Sequence, residues 1–94
     1  MSIDLEDAET KGRYVAHIEG SSETGELTFS KTGSTLIIVD HTEVPDSLRG
    51  KGVGLALAKR AVEDARKNKV KIVPLCPFFK ATAQRHPDWS DVVQ

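Results

Sequence analysis

Residues 49–54 read Arg-Gly-Lys-Gly-Val-Gly, with glycine at every second position between a polar strand end and a long amphipathic segment. Glycine inside a helix costs about 1 kcal/mol relative to alanine, so a gain elsewhere has to offset these residues. Close approach of the backbone to a ligand is one such gain. The free N–H groups of a helix start lie at the positive end of the helix dipole, and Arg49 and Lys51 add charge. The segment therefore predicts an anion cradle suited to phosphate, and the alternative is an ordinary glycine-rich turn.

A helical repeat follows the glycines. Its apolar residues recur at helical spacing: Val53, Leu57, Ala61 and Ala65. Its charged residues take the outer face: Lys59, Arg60, Glu63, Asp64, Arg66 and Lys67. We expect Asn68 to be the left-handed cap. The pattern predicts a helix roughly 25 Å long that begins at the cradle.

Three predicted strands precede the cradle, at residues 14–19, 26–30 and 35–44. The first two alternate apolar and polar residues, and turn-forming stretches separate all three, so they form a meander. The third strand begins apolar and ends polar. Its two-residue period puts Ile37, Val39, His41 and Glu43 on one face, with His41 and Glu43 roughly 6.6 Å apart along the strand.

A fourth strand, residues 70–73, follows the helix, and a right-handed crossover makes it parallel to the third. Pro74 has no N–H to donate, so we expect the two parallel strands to diverge there and leave a slot. A short helix is predicted over residues 78–85, and residues 86–89 end it. The predicted fold class is α/β (α+β), an antiparallel meander plus a central β-α-β unit with diverging parallel strands.

Length and charge limit the class of protein. A chain of 94 residues buries only about 60 to 65% of its unfolded surface in one core, which allows a single domain. We assign that domain to residues 13–94 and predict a mobile lead-in over the polar residues 1–12. The net charge of -1 argues against a nucleic-acid or membrane partner. The longest apolar run, residues 36–39, is too short to span a membrane, and the acidic N-terminus is unlike a signal peptide, so we expect a cytoplasmic protein.

Two common phosphate-binding motifs do not fit the cradle. A dinucleotide fingerprint would need glycine where Leu55 stands. A Walker loop would need glycine in place of Pro45 and Ser or Thr in place of Gly52. What the segment resembles is the [Q/R]-x-x-G-x-[G/A] motif of the GNAT acetyltransferase superfamily, met by Arg49, Gly52 and Gly54.

The resemblance extends from about Tyr14 to Val93. Residues 43–45, 73–78 and 85–87 are similar to a compact branch of GNAT-like proteins of about this length. The resemblance implies that the loop holds the pyrophosphate of acetyl-coenzyme A and that Glu43 and Val44 offer backbone groups to the pantetheine arm. The implied cofactor-binding residues are Glu43, Val44, Arg49, Gly50, Lys51, Gly52, Val53 and Gly54.

The same resemblance makes Cys76 and His41 candidate catalytic residues, because in this branch a cysteine beside the slot replaces a tyrosine acid. Glu43 is a second candidate base. Cys76 followed by Pro77 predicts an N-cap with proline at the first helical position, where a thiolate is stabilised. Inert packing is the alternative for this single cysteine. The branch often has an aromatic residue near position 82, and this chain has Thr82.

The other histidines, His17 and His86, are predicted to be structural or exposed, and the spacing of His and Cys residues does not suit a metal site.

From the resemblance we predict an acetyl-CoA-dependent N-acetyltransferase that acts on a small-molecule or peptide amine. The acetyl group passes either directly, with Glu43 or His41 as base, or through Cys76. The alternatives are a non-catalytic CoA-binding or sensor module and, less favoured without a resolving cysteine, a thiol-redox protein. The oligomeric state and the identity of the acceptor stay open.

Overall fold

Five strands form one mixed sheet in the order β1-β2-β3-β4-β5, and two helices follow the fourth and fifth strands. The computed structural model describes all residues, 1–94. Its elements are β1 Ser2–Asp7, β2 Lys11–His17, β3 Thr24–Thr32, β4 Leu36–Glu43, α1 Val53–Asn68, β5 Lys71–Pro74 and α2 Pro77–Gln84, with 3-10 turns at Asp46–Leu48 and Pro87–Trp89. None of its helices combines the length and apolarity needed to cross a bilayer.

The predicted arrangement of the central strands is confirmed. Strands β1 to β4 are antiparallel neighbours, and β4 and β5 are parallel with α1 between them. The parallel pairing runs from Leu36 opposite Lys71 to Val39 opposite Pro74 and then stops. Helix α1 therefore covers one face of the sheet, and the parallel strands β4 and β5 separate at one end.

Helix α1 packs its apolar stripe on the sheet. Leu57 and Ala58 are fully buried there against a core that includes Leu27 and Val39. The helix ends one residue later than the sequence indicated. Lys69, with a φ of 59°, is the left-handed cap, so the assignment of that role to Asn68 is wrong. The Lys69 N–H donates to the Ala65 and Arg66 carbonyls, so the last helical turn includes Asn68.

The structure differs from the prediction for residues 1–12. Strand β1 pairs with β2 from Ser2 opposite His17 to Asp7 opposite Gly12, so this segment is part of the sheet. Its side chains are mostly exposed, and Ile3 is the one that packs against the core. An edge strand needs backbone partners on one side only, so its polar composition did not reveal it.

A bulge in β4 reverses the faces of its polar end. Phe29 of β3 pairs with Val39 of β4, and its neighbour Thr28 pairs with His41. Asp40, between Val39 and His41, is therefore an extra residue without a partner in β3. Thr28 and Ser30 donate side-chain hydrogen bonds to the Asp40 carboxylate at 2.5 and 3.0 Å. One extra residue moves every following side chain to the opposite face.

The prediction that His41 and Glu43 share a face with Ile37 and Val39 is therefore wrong. His41 pairs with Thr28, and Glu43 pairs with Glu26, so both lie on the face that carries no helix. Thr42 pairs with the buried Leu27 and faces the helices instead.

Tyr14 gives the fold a pH dependence at high pH. Its buried hydroxyl donates a hydrogen bond to Asp64 Oδ2 at 2.8 Å. Burial first, and this hydrogen bond second, raise the pKa of Tyr14 well above its usual value of about 10. The unfolded chain then loses the tyrosine proton at lower pH than the folded chain does. The contribution of Tyr14 to the free energy of unfolding is therefore complete below about pH 10. Above that pH it falls by up to about 1.4 kcal/mol per pH unit.

We expect the difference in unfolding free energy between wild type and Tyr14→Phe to shrink above about pH 10, because only the wild type loses this contribution. At neutral pH the variant should be less stable by about 1 kcal/mol. Urea unfolding at a series of pH values measures both quantities. Tyr14 is the single tyrosine of the chain, so its ultraviolet absorbance reports its ionisation directly. A difference that stays constant with pH contradicts the assignment.

Candidate functional site

A cavity of about 650 Å³ opens where the parallel strands diverge. It lies between the end of β4, the start of α1 and one side of α2. The residues that line it are Thr42, Val44, Leu48, Arg49, Gly50, Gly52, Val53, Gly54, Leu55, Phe78, Thr82, Arg85 and His86. This volume suits part of an extended ligand, because small-molecule sites commonly measure about 300–1,000 Å³.

The slot has a local cause. Pro74 cannot donate a ladder hydrogen bond, and after it the chain turns so that the Cys76 N–H donates to the Val39 carbonyl at 2.9 Å. Beyond Val39, strand β4 has no strand neighbour on this side. The Val44 N–H donates to no backbone acceptor, so the slot presents an available donor.

The glycine loop supplies a row of available donors at the other end of the cavity. None of the amides from Gly50 to Leu55 donates to an acceptor in the protein, and the first paired amide is that of Ala56, which donates to the Gly52 carbonyl at 3.0 Å. Gly50 and Gly52 have φ angles of 81° and 75°, which glycine adopts readily. A Cβ at either residue would meet open space, so the backbone is accessible to a ligand. The arrangement fits an anion.

The two basic residues of the loop are not equivalent. Arg49 lines the cavity and pairs with Asp46 at 3.1 Å, although both side chains are largely exposed. Lys51 is exposed and does not line the cavity. Because exposed ion pairs contribute little, the row of amides would be the fixed part of an anion site, and the Arg49 side chain could adjust around it.

Cys76 is the N-cap of α2, with Pro77 at the first helical position, as the sequence predicted. The cysteine is only 3% exposed and belongs to the core. Its thiol donates to the Thr42 hydroxyl at 3.4 Å, which is within hydrogen-bond distance for sulfur. Thr42 lines the cavity and Cys76 does not, so the thiol is placed behind the threonine.

His41 and Glu43 lie together on the open face of the sheet. The distance from His41 Nε2 to Glu43 Oε2 is 3.4 Å, and the two side chains are 61% and 68% exposed. Neither lines the cavity. The structure thus brings these two candidate residues together and separates them from the helical face, toward which Thr42 points. The protein contains no cluster of three or more His, Cys, Asp or Glu side chains arranged to hold a metal ion.

The comparisons with known proteins agree with this geometry. The sequence model described as GCN5-related N-acetyl-transferase matches residues 13–92. The chain belongs to the GCN5-related N-acetyltransferase family. The solution structure of a GCN5-like protein from Staphylococcus aureus superposes with a TM-score of 0.70 and 33% identity, covering 97% of this chain and 87% of that one.

Curated relatives are more distant. Protein NATD1 from Xenopus tropicalis is 26% identical over 86 residues, which cover 92% of this chain and 79% of that protein. Protein NATD1 from Homo sapiens is 25% identical over 85 residues, which cover 90% and 75%. The family and the fold inferred from the sequence are thereby confirmed.

Helix α2 and the two residues after it provide four lining residues of this GCN5-related domain that sequence reasoning did not select: Phe78, Thr82, Arg85 and His86. Phe78, Thr82 and Arg85 recur at intervals of three to four residues and so lie on one side of the helix, and His86 follows at its end. That period was readable in the sequence. It did not show which side would face the glycine loop, because that depends on how α2 packs.

Gly54 allows helices α1 and α2 to approach at the mouth of the cavity. A Cβ on Gly54 would lie 2.6 Å from Phe78 Cζ, closer than atoms approach. The Phe78 ring is 42% exposed and can move, so Gly54→Ala should keep the fold and gain up to about 1 kcal/mol of helix stability. The displaced ring should weaken CoA binding by roughly threefold to tenfold, since about 1.4 kcal/mol is a factor of ten. Calorimetric titration with CoA and thermal unfolding measure the two effects.

The double variant Gly54→Ala/Phe78→Ala is the matched control. Without the ring, the added methyl group has nothing to displace, so the double variant should bind CoA as Phe78→Ala does. A further loss of affinity in the double variant would show that Gly54 acts independently of Phe78.

Proposed function

We propose that this chain binds acetyl-CoA and transfers its acetyl group to an amine. The observation that carries the proposal is the row of unpaired amides from Gly50 to Leu55 at one end of a cavity whose other end presents the unpaired Val44 N–H. A polyanion that carries a thioester fits these two features together. Family membership supports the same chemistry.

The fit can be assigned residue by residue. The amides of the glycine loop, with Arg49 beside them, would hold the pyrophosphate, and Gly50 and Gly52 leave room for its oxygens. The unpaired edge of β4 at Glu43 and Val44 would pair with the amide groups of the pantetheine arm. Acetyl-CoA supplies an activated acetyl thioester, whose carbonyl oxygen would accept from the Val44 N–H. A backbone donor held in this way stabilises negative charge that develops on the oxygen during transfer.

In the direct route, a neutral amine nitrogen attacks the thioester carbon. A C–N bond forms, the C–S bond breaks, and the products are an amide and CoA with a free thiol. The incoming ammonium group must first lose a proton. Glu43 and His41 are the proposed base, because their paired side chains stand on the open face, where proton exchange with solvent is rapid.

A covalent route through Cys76 has weaker support. It requires the Cys76 sulfur to displace CoA, form an acetyl-cysteine and then transfer that acetyl group to the amine. The thiol is 3% exposed and lies behind Thr42, so the Thr42 side chain would have to rotate before the sulfur could reach the thioester. His41 lies on the opposite face of the sheet from Thr42 and is poorly placed to assist the thiol. The buried thiol therefore favours direct transfer.

A turnover assay tests the proposal. Purified protein is incubated with acetyl-CoA and, separately, butylamine, spermidine, lysine and a peptide with a free N-terminus, and both CoA and the acetylated amine are quantified. We expect stoichiometric formation of the two products with at least one amine and retention of activity in Cys76→Ala. Intact-protein mass spectrometry after quenching should show no acetyl adduct on wild type. An adduct that is absent in Cys76→Ala would establish the covalent route, and CoA binding without turnover of any amine would establish a binding module.

A further inference from the structure

His86 is fixed at the end of α2 by two contacts. Its Nδ1–H donates to the Thr82 carbonyl at 2.9 Å. Its ring stacks on Trp89 with centroids 4.3 Å apart and an interplanar angle of 11°. Trp89 is itself buried, so the imidazole plane has little freedom. The carbonyl oxygen cannot donate, which assigns the proton of the neutral ring to Nδ1 and leaves Nε2 as an acceptor.

The cavity contains one side chain that can accept a proton. No aspartate or glutamate lines it, and its two arginines, Arg49 and Arg85, stay protonated. Its remaining polar side chains are the hydroxyls of Thr42 and Thr82. His86 is half-buried and lines the same cavity as Thr42. His86 is therefore the one side chain of this cavity that can accept a proton released inside it.

We propose that His86 is a catalytic residue whose Nε2 carries a proton from the attacking amine nitrogen to the CoA sulfur. The inference rests on the acetyl-transfer function proposed above and assigns it a group on the helical face of the sheet. His41 and Glu43, on the other face, deprotonate the incoming ammonium group. His86 handles the second proton, which has to leave the nitrogen as the amide forms.

The step balances without a further reactant. As the C–N bond forms, the amine N–H proton passes to Nε2, and the imidazole becomes a cation. As the C–S bond breaks, the electron pair stays on sulfur, and Nε2 returns the proton to it. Nitrogen and sulfur are then bonded to the same carbon, so one rigid acceptor can serve both atoms. The enzyme returns to its starting state with a neutral His86.

The charges that surround His86 are basic. Arg49 and Arg85 share the main cavity with it, and Lys80 shares a smaller cavity on its other side. The ring also touches Trp89, which carries no charge. No acidic side chain lines either cavity.

Two variants separate chemistry from structure. His86→Asn can keep a donor to the Thr82 carbonyl, and His86→Phe keeps an aromatic ring to stack on Trp89, but neither has a nitrogen that can take up a proton. We expect both variants to lower kcat by about 100-fold or more with CoA affinity within about threefold of wild type. His17→Asn, on the distant strand β2, is the matched control and should behave as wild type.

A second readout does not depend on turnover. In NMR spectra of wild type, saturating CoA should move the imidazole signals of His86 and leave those of His17 in place. Unmoved His86 signals at saturation would refute the proposal, and so would wild-type kcat in either His86 variant. If wild type acetylates no amine, the transferase function itself fails, which is a distinct result from normal turnover in the variants.

Discussion

Gly52→Val should weaken CoA binding by more than about tenfold while the protein stays folded. Gly52 lines the cavity with a φ of 75°, and no atom lies within 4 Å of the place where a Cβ would stand. A valine there would occupy the space through which an anion approaches the amides of the loop. Loss of one or two hydrogen bonds to a charged group costs roughly 1.5–3 kcal/mol each, and about 1.4 kcal/mol is a factor of ten in affinity. Calorimetric titration with CoA measures the change.

Gly33→Val is the matched control for backbone strain. Gly33 has a φ of 69° and equally open surroundings, but it lies in the turn between β3 and β4, away from the cavity. Both substitutions should destabilise the fold by about 1–3 kcal/mol through left-handed strain. Only Gly52→Val should change CoA affinity, and adding Arg49→Ala to it should weaken binding further. Equal CoA affinity in the two single variants would refute the assignment of the glycine loop as the anion site.

Phe79→Ala should destabilise the protein by about 3–5 kcal/mol, which is the usual cost of removing a fully buried phenylalanine. Phe79 has no exposed surface, and its ring stacks on Trp89 with centroids 6.3 Å apart. The truncation leaves a void between α2 and the C-terminal segment that neither can fill. A domain of this size should lose roughly 4–8 °C in Tm for each kcal/mol. Thermal and urea unfolding followed by circular dichroism measure the loss.

The neighbouring Phe78 gives the opposite expectation. It is 42% exposed and lines the cavity mouth, so Phe78→Ala should leave Tm within a few degrees of wild type and change CoA affinity instead. Of these two adjacent residues, we expect Phe79 to affect the stability of the fold and Phe78 to affect the affinity for CoA. A Phe79→Ala protein that unfolds at the wild-type temperature would show that α2 is not packed as described.

Most of the fold was predictable because its elements carry periodic signals. The apolar repeat of α1 and the alternation in β2 and β3 each show which face is buried. Pro74 predicted the divergence of β5, since a missing N–H is a property of the residue itself. Strand β1 gave no such signal, because an exposed edge strand is held by main-chain hydrogen bonds that every non-proline residue can make.

The candidate site was predicted in part. The glycine loop was found because left-handed glycines and a helix start are local features, and the structure places them at the cavity. The face of His41 and Glu43 was predicted wrongly because of the bulge at Asp40. Thr42, which takes their expected place on the helical face, was not considered. The catalytic roles of Cys76, His41 and Glu43 stay predictions.

The sequence by itself determined the family, the β-α-β unit and the glycine loop at the start of α1, because motif, period and glycine conformation depend on residues that are close in the chain. The tertiary structure alone decided which side chains share the cavity. One extra residue in β4 reverses the faces of everything that follows it, and the packing of α2 selects His86 as the acceptor in the cavity. Both depend on contacts between residues far apart in the chain, such as Thr28 with His41 and Thr42 with Cys76.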